Sequence, residues 1–208
     1  MAHPMVEEQR AYMRSVVGAR DKASLHHLVN TWQVRHFAQA AYPPGHGPTN
    51  FTRWMDGEQL PYQVRYDTHF EPWFIIDRRL SPPYDARFRG YGWNKVVNVQ
   101  HVALSNFSFT VEPAAWLVHR PHKRSRGQEL FSWGWSSGAD RRKEETRMWR
   151  GSLVPLPVLF YNRIAALQER ASSDMWSGKY RPATDKHTEH CRAMLPWWGG
   201  SSDRHARG

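Results

Sequence analysis

Two proline pairs, Pro43–Pro44 and Pro82–Pro83, divide this chain more firmly than any other feature. Proline lacks the N–H that a helix or a ladder needs, and its ring crowds the turn before it, so neither element runs through such a pair. The chain must therefore be assembled from short pieces. Asp21 predicts the cap of a helix from Lys22 to about Ala40, ended by "YPPGHG". Leu25, Leu28, Val29, Trp32 and His36 recur at spacings of three and four and predict its buried stripe. Residues 45–63 read as a loop. "WFII", residues 73–76, predicts a short buried strand, and "RRLSPPYD" a loop with prolines as breakers.

Beyond the second pair, Val96, Val99 and Ala103 recur at helical spacing from Asn94. "NFSFTV", residues 106–111, alternates, so Phe107, Phe109 and Val111 share one face of a strand. "AAWLVH" predicts a further strand running into His119. A last helix is expected from about Pro157 to Arg170, with proline at a tolerated first position. This order predicts a mixed α/β fold with few strands for its length, hence a sheet completed by something outside the chain. Residues 1–170 read as one unit and 171–208 as a poorly ordered tail.

Of the 208 residues, 40% are hydrophobic and 13% aromatic, enough apolar surface to exclude a disordered chain. The lone Cys191 excludes an internal disulfide framework and a cysteine-built zinc site. No apolar run is long enough to span a bilayer, and "MAHPMVEEQR" shows no secretory h-region. The formal charge is +10, and residues 120–150 hold nine Lys/Arg against four Asp/Glu. Such a patch suits a nucleic acid, an acidic glycan or a membrane surface, or is a solvated basic insertion.

Four stretches stand in order within roughly residues 20 to 122: "GHGPTNFTRW", "LPYQVRYDTHFEPWFIIDRR", "YDARFRGYGWNK" and "EPAAWLVHRPH". Together they resemble glycosyltransferase family forty-nine, most of all the second, glucuronyltransferase domain of its LARGE-type members. The resemblance implies a GT-A fold, here its acceptor-side half with a mixed sheet flanked by helices. It implies inverting transfer of glucuronic acid from a UDP-sugar donor, UDP-glucuronate, to xylose on a glycan acceptor. It also implies manganese, held by an Asp-x-Asp motif and a late histidine, and a Golgi-lumen location for full-length members. His119 matches the late histidine. The chain departs from the pattern at three points. It contains no Asp-x-Asp, His101 stands where the family usually has glutamate, and Lys123–Pro155 looks like a basic insertion. The nucleotide-binding half is thus expected to be missing, and the 208-residue chain alone is expected to have little transferase activity.

Glycosyl transfer needs a base for the acceptor hydroxyl, charge neutralisation at the leaving diphosphate, and a sugar held in line with the attacking oxygen. Asp85 is the candidate base, with Glu71 and Asp77 as alternatives. Its plain reading is a turn aspartate bonding its own backbone. Gly90 and Gly92 permit positive φ and close approach of a ligand. Trp93 is a candidate to stack on a sugar face, and Asn94 and Lys95 to bond its hydroxyls or the glucuronate carboxylate, at a helix N-terminus that attracts anions. The plain alternative has Asn94 as a cap and Trp93 packed inward. Arg78, beside Arg79, is a candidate partner of that carboxylate or of a phosphate. Arg53 and Trp54 read as a brace for their loop. His119, at a strand end, is the candidate manganese ligand, with His122 as competitor. The second function class is a non-catalytic protein that binds acidic polysaccharide or nucleic acid through its basic segment.

Overall fold

A computed structural model of the chain describes residues 4–38, 40–57, 59–119, 122–135 and 146–194. Helices and two small antiparallel sheets make it a mixed α/β structure. Its contacts divide into two units, Met1–Pro72 with Ser108–Lys123, and Trp73–Phe107 with Arg124–Gly208. No helix among the described residues is long and apolar enough to cross a membrane.

The first unit begins with helices α1 (Pro4–Gly18) and α2 (Lys22–Asn30). Asp21 caps α2 as its sequence predicts, accepting from the Ser24 N–H at 2.7 Å. The helix stops ten residues short of the expected Ala40. Trp32, at φ 59°, donates its N–H to Val29 O, and Gln33 donates to Leu28 O. That paired closure with a left-handed residue is a Schellman stop. Tryptophan holds the place where glycine usually announces it, so Trp32 leaves the buried stripe and is 77% exposed.

The stretch read as a loop after Pro43 is instead wound into α3 (Pro43–His46), a 3₁₀ turn (Gly47–Thr49) and α4 (Phe51–Asp56). Strand β1 (Tyr62–Val64) pairs antiparallel with β2 (Phe109–Val111), Tyr62 opposite Val111. The expected alternation around Phe109 thus forms a ladder, though a shorter one than the six residues predicted. Ala19, Leu25, Leu28, Trp54 and Tyr62 are buried together as the core of this unit. Trp54 also donates its indole N–H to Glu112 O at 3.2 Å, which ties α4 to the end of β2. The strand predicted from "AAWLVH" is absent. The Glu112 carboxylate accepts from the Ala114 N–H at 3.0 Å and turns the chain, leaving Leu117 73% exposed.

The second unit is built on α5 (Asn94–Leu104), α6 (Arg126–Trp135) and α7 (Leu156–Trp176). The Val96–Val99 spacing predicted α5, and its buried face carries Val96, Val97, Val99 and Val102. Ser172 donates to Gln100 Oε1 at 2.7 Å and fastens α7 to α5. Phe88, Val97, Ile164, Ala171, Met175 and Tyr180 form the core, with Trp93, Phe131, Phe160 and Leu167 packed on it.

The segment 73–76 is a correction. Trp73 and Ile75 are exposed and Phe74 and Ile76 half-buried, the alternation of a strand, but no ladder forms because no neighbour pairs with it among the described residues. The basic segment carries structure of its own. Besides α6 it holds a hairpin of β3 (Thr146–Trp149) and β4 (Ser152–Pro155). Arg150 and Gly151, both at positive φ, close it as a two-residue turn matched to strand twist. The segment expected as a tail from residue 171 carries structure as far as Met194. Helix α7 runs on to Trp176, Tyr180 is buried, and Asp185 accepts from the Thr188 N–H to start α8 (Lys186–Met194). The remainder of that expected tail lies outside the described residues.

Candidate functional site

The turn that leads into α5 holds six of the residues singled out from the sequence, and Asp85 is its anchor. The Asp85 side chain is 1% exposed. Oδ1 accepts from the Arg87 N–H at 3.0 Å and the Ala183 N–H at 3.3 Å. Oδ2 accepts from the Tyr180 hydroxyl at 2.9 Å, and the Arg87 guanidinium grips both oxygens through Nε and Nη2. Burial pushes the carboxyl up, but the bonds from Arg87 and Tyr180 outweigh it and hold the group below the usual carboxylate range.

This geometry matches the plain reading of Asp85, a turn aspartate that bonds its own backbone, more closely than the reading as base. A general base needs an oxygen within reach of the proton it takes and a pKa near the working pH. Both oxygens of Asp85 are engaged, and the group resists protonation. It braces the chain instead. Ala86 donates to Ala183 O at 2.8 Å, so residues 85–88 are tied to residues 180–183 by side chain and backbone together. Asp77, one alternative, is gripped by Arg79, with an Nη2–Oδ2 distance of 2.6 Å, and its carboxyl falls to about 2 through those bonds. Arg78 beside it is exposed. Glu71, the other alternative, is a half-buried residue of the first unit, its N–H donating to Gly45 O at 2.8 Å.

The glycines behave as their spacing suggests, for a reason the sequence does not display. Gly90 and Gly92 adopt φ 92° and 107°. A Cβ on Gly92 would fall directly on the Phe131 ring, and one on Gly90 would lie 3.3 Å from Phe160 Cζ. Close packing by α6 and α7 therefore demands both glycines, before any ligand is considered. Trp93, at φ 56°, is the cap residue of α5 and is half-buried edge-on to Phe131, ring centroids 6.1 Å apart. Asn94 accepts from the Lys95 N–H at 2.8 Å. Lys95 Nζ lies 4.2 Å from the centre of the Trp73 ring, a cation–π contact that holds the ammonium in place.

His119 belongs to the first unit and does not end a strand. It is exposed, 4.7 Å from Phe37 and 5.2 Å from His122 between ring centroids. His122 Nδ1 lies 2.8 Å from Lys123 O. No group of three His, Cys, Asp or Glu side chains that could hold a metal ion exists among the described residues. These residues do not by themselves fit manganese. Arg87 and Tyr180 escaped the sequence reading altogether. The Asp-x-Arg spacing was a local signal for the first, and nothing near "SGKYRP" signalled the second.

Residues 9–134 match the profile of a family described as glycosyl-transferase for dystroglycan. The chain belongs to that family. Its family segment includes Asp85, the glycine turn, α5 and His119. Among curated proteins it is similar to the mouse xylosyl- and glucuronyltransferase LARGE1 (Mus musculus), 38% identical over 106 residues. Those residues are 51% of this chain and 14% of the mouse protein. The human LARGE1 (Homo sapiens) is 36% identical over 106 residues, 51% of this chain and 14% of that protein. The glycosyltransferase-like protein LARGE of Caenorhabditis elegans is 34% identical over 108 residues, 52% of this chain and 17% of that protein. This glycosyltransferase-family chain thus spans less than a fifth of the length of these relatives.

Proposed function

We propose that this chain is the acceptor-side part of a GT-A glycosyltransferase. The reaction is the inverting transfer of glucuronic acid from UDP-glucuronate to xylose on a glycan, in the Golgi lumen. The observation that carries the reading is the immobilised turn from Asp85 to Asn94, which lies inside the family segment and leads directly into α5. Such transfer depends on holding a sugar in line rather than on many reactive groups, and a braced turn serves that need. Asp85, through Arg87 and Tyr180, acts as a positioning residue. The half-buried Trp93 and the Lys95 ammonium, steadied on Trp73, offer a face and a charge to a sugar and a carboxylate. His119 stays a candidate ligand only in company with carboxylates from outside the described residues.

Two measurements test this. Xylose-terminated oligosaccharide is expected to bind the full 208-residue chain, and Lys95→Ala and Trp93→Ala to weaken it. UDP-glucuronate is expected to be turned over little, if at all. Robust transfer by the isolated chain would refute its being a part. If acceptor binding is absent while heparin or RNA binds in a salt-sensitive way, lost on charge reversal at Arg147 and Arg150, the non-catalytic reading replaces it.

A further inference from the structure

The hairpin of β3 and β4 plays no part in the site above, and it sets three large apolar side chains together in solvent. Met148 stands directly opposite Leu153 in the ladder, and Trp149 opposite Ser152. Partners in register share a face of the sheet, and neighbours along a strand take opposite faces. Met148 and Leu153 are therefore on one face and Trp149 on the other. They are 65%, 68% and 56% exposed, in that order. The base of the hairpin differs. Val154 and Pro155 are half-buried, and the chain passes at once into α7. The exposed apolar groups are thus gathered at the tip, on both faces, around the turn at Arg150 and Gly151.

Apolar groups on both faces suit immersion rather than flat docking, which would cover one face and leave the other wet. Charge disfavours a second copy as the occupant. Residues 120–150 hold nine Lys/Arg against four Asp/Glu, a count that already sets every acid against a base, and residues 146–155 contain no carboxylate. Two such segments repel each other, and an anionic surface attracts them. Within the tip, the Arg150 guanidinium lies 5.7 Å from the centre of the Trp149 ring. From there it reaches phosphate oxygens while the indole sits at headgroup level, where tryptophan concentrates in membranes. A nucleic acid also supplies phosphates, and its bases stack on aromatic rings. It gives the aliphatic pair Met148 and Leu153 nothing to enter, whereas acyl chains do.

The depth is limited by the backbone. β3 and β4 form a two-stranded sheet, so each keeps an outer edge outside the ladder. Hydrocarbon does not tolerate an open edge, which holds such a hairpin at the boundary between headgroups and acyl chains. We propose that the β3–β4 hairpin docks shallowly on an anionic lipid surface, with Met148, Trp149 and Leu153 immersed and Arg150 at the phosphates. This attachment is separate from the transfer proposed above and holds with or without it.

Flotation of the full 208-residue chain with lipid vesicles tests it. Binding to phosphatidylcholine vesicles that contain phosphatidylserine is expected to be at least about tenfold tighter than to phosphatidylcholine alone. Met148→Ser combined with Leu153→Ser is expected to weaken that binding about tenfold or more. Arg150→Asn is expected to weaken it less and to make it less sensitive to salt. These side chains are exposed, and asparagine accepts the left-handed backbone of Arg150, so the thermal melts should match the parent. Lipids brominated high on the acyl chain are expected to quench the tryptophan emission of the parent more than that of Trp149→Phe. Equal binding to the two kinds of vesicle, binding that survives the Met148/Leu153 double change, or equal quenching of parent and Trp149→Phe would each overturn the assignment. So would displacement from vesicles by polyuridylate whose own binding ignores that double change, which would make the hairpin a nucleic-acid surface.

Discussion

Tyr180 donates its phenol hydrogen to Asp85 at 2.9 Å, across 95 residues of sequence. The bond is buried and joins the turn before α5 to the segment after α7. It makes a residue from the presumed tail part of the candidate site. Burial, the Asp85 charge and this bond drive the phenol well above its ordinary range, so Tyr180 remains a donor at any physiological pH.

Tyr180→Phe is expected to destabilise the chain by about 1–3 kcal/mol, because the buried carboxylate loses a donor that water does not replace. Asp85→Ala should cost more, on the order of 3 kcal/mol, since it also strands the part-buried Arg87 guanidinium. Urea denaturation checks both. A Tyr180→Phe protein as stable as the parent would remove the tyrosine from the brace.

Stability is expected to fall with acid in two stages. Asp85 is depressed in the fold, so its contribution is complete above the unfolded carboxylate pKa, about 4, and is lost as pH drops through the lower folded value. His101 is also depressed, first by burial, then by Arg181, with Asp85 opposing. The folded state therefore binds fewer protons there than the unfolded chain, and stability declines below about 6.5. Its buried Nδ1 has no partner among the described residues, and its ring meets Tyr180 edge-on at 5.0 Å. His101→Gln should flatten the upper stage of a pH-resolved denaturation series and leave the lower one.

Gly92→Ala is expected to cost about 2–4 kcal/mol, from a methyl group driven into Phe131 and a positive φ that alanine resists. Combining it with Phe131→Ala should cost less than the sum of the two single changes, because the cavity accepts the methyl. Additive costs would mean that backbone strain alone is responsible.

Trp32→Gly is expected to stabilise the chain, by roughly 0.5–1 kcal/mol, since Trp32 is exposed and occupies a left-handed position that glycine takes without steric cost. Its contact with Arg35, 5.8 Å from the ring, is too exposed to offset that gain. A thermal melt decides.

Much of the local structure was legible in the sequence. The Asp21 cap, the valine spacing of α5 and the alternation at Phe109 each act through neighbours a few residues away, and each appears where expected. What stayed hidden depends on distance along the chain. The stop at Trp32 lacks glycine's signature. "WFII" has the composition of a strand but pairs with no other strand among the described residues. In the candidate site, the glycines were visible as permissive backbone, while Phe131 and Phe160, which make them necessary, come from the stretch that composition marked only as a basic insertion and from the helix beyond it. Asp85 looked available because its partners Tyr180 and Ala183 lie far downstream.

The Asp85 brace also bears on where this polypeptide can be cut. The family likeness stops at residue 134, yet Tyr180 and Ala183 lie beyond it. A fragment trimmed to the match would keep the carboxylate and lose two of its donors, together with the helix that roofs Gly90. The boundary of evolutionary similarity is therefore not a boundary of folding, and excision there would remove a keystone from a part that looks self-sufficient by alignment.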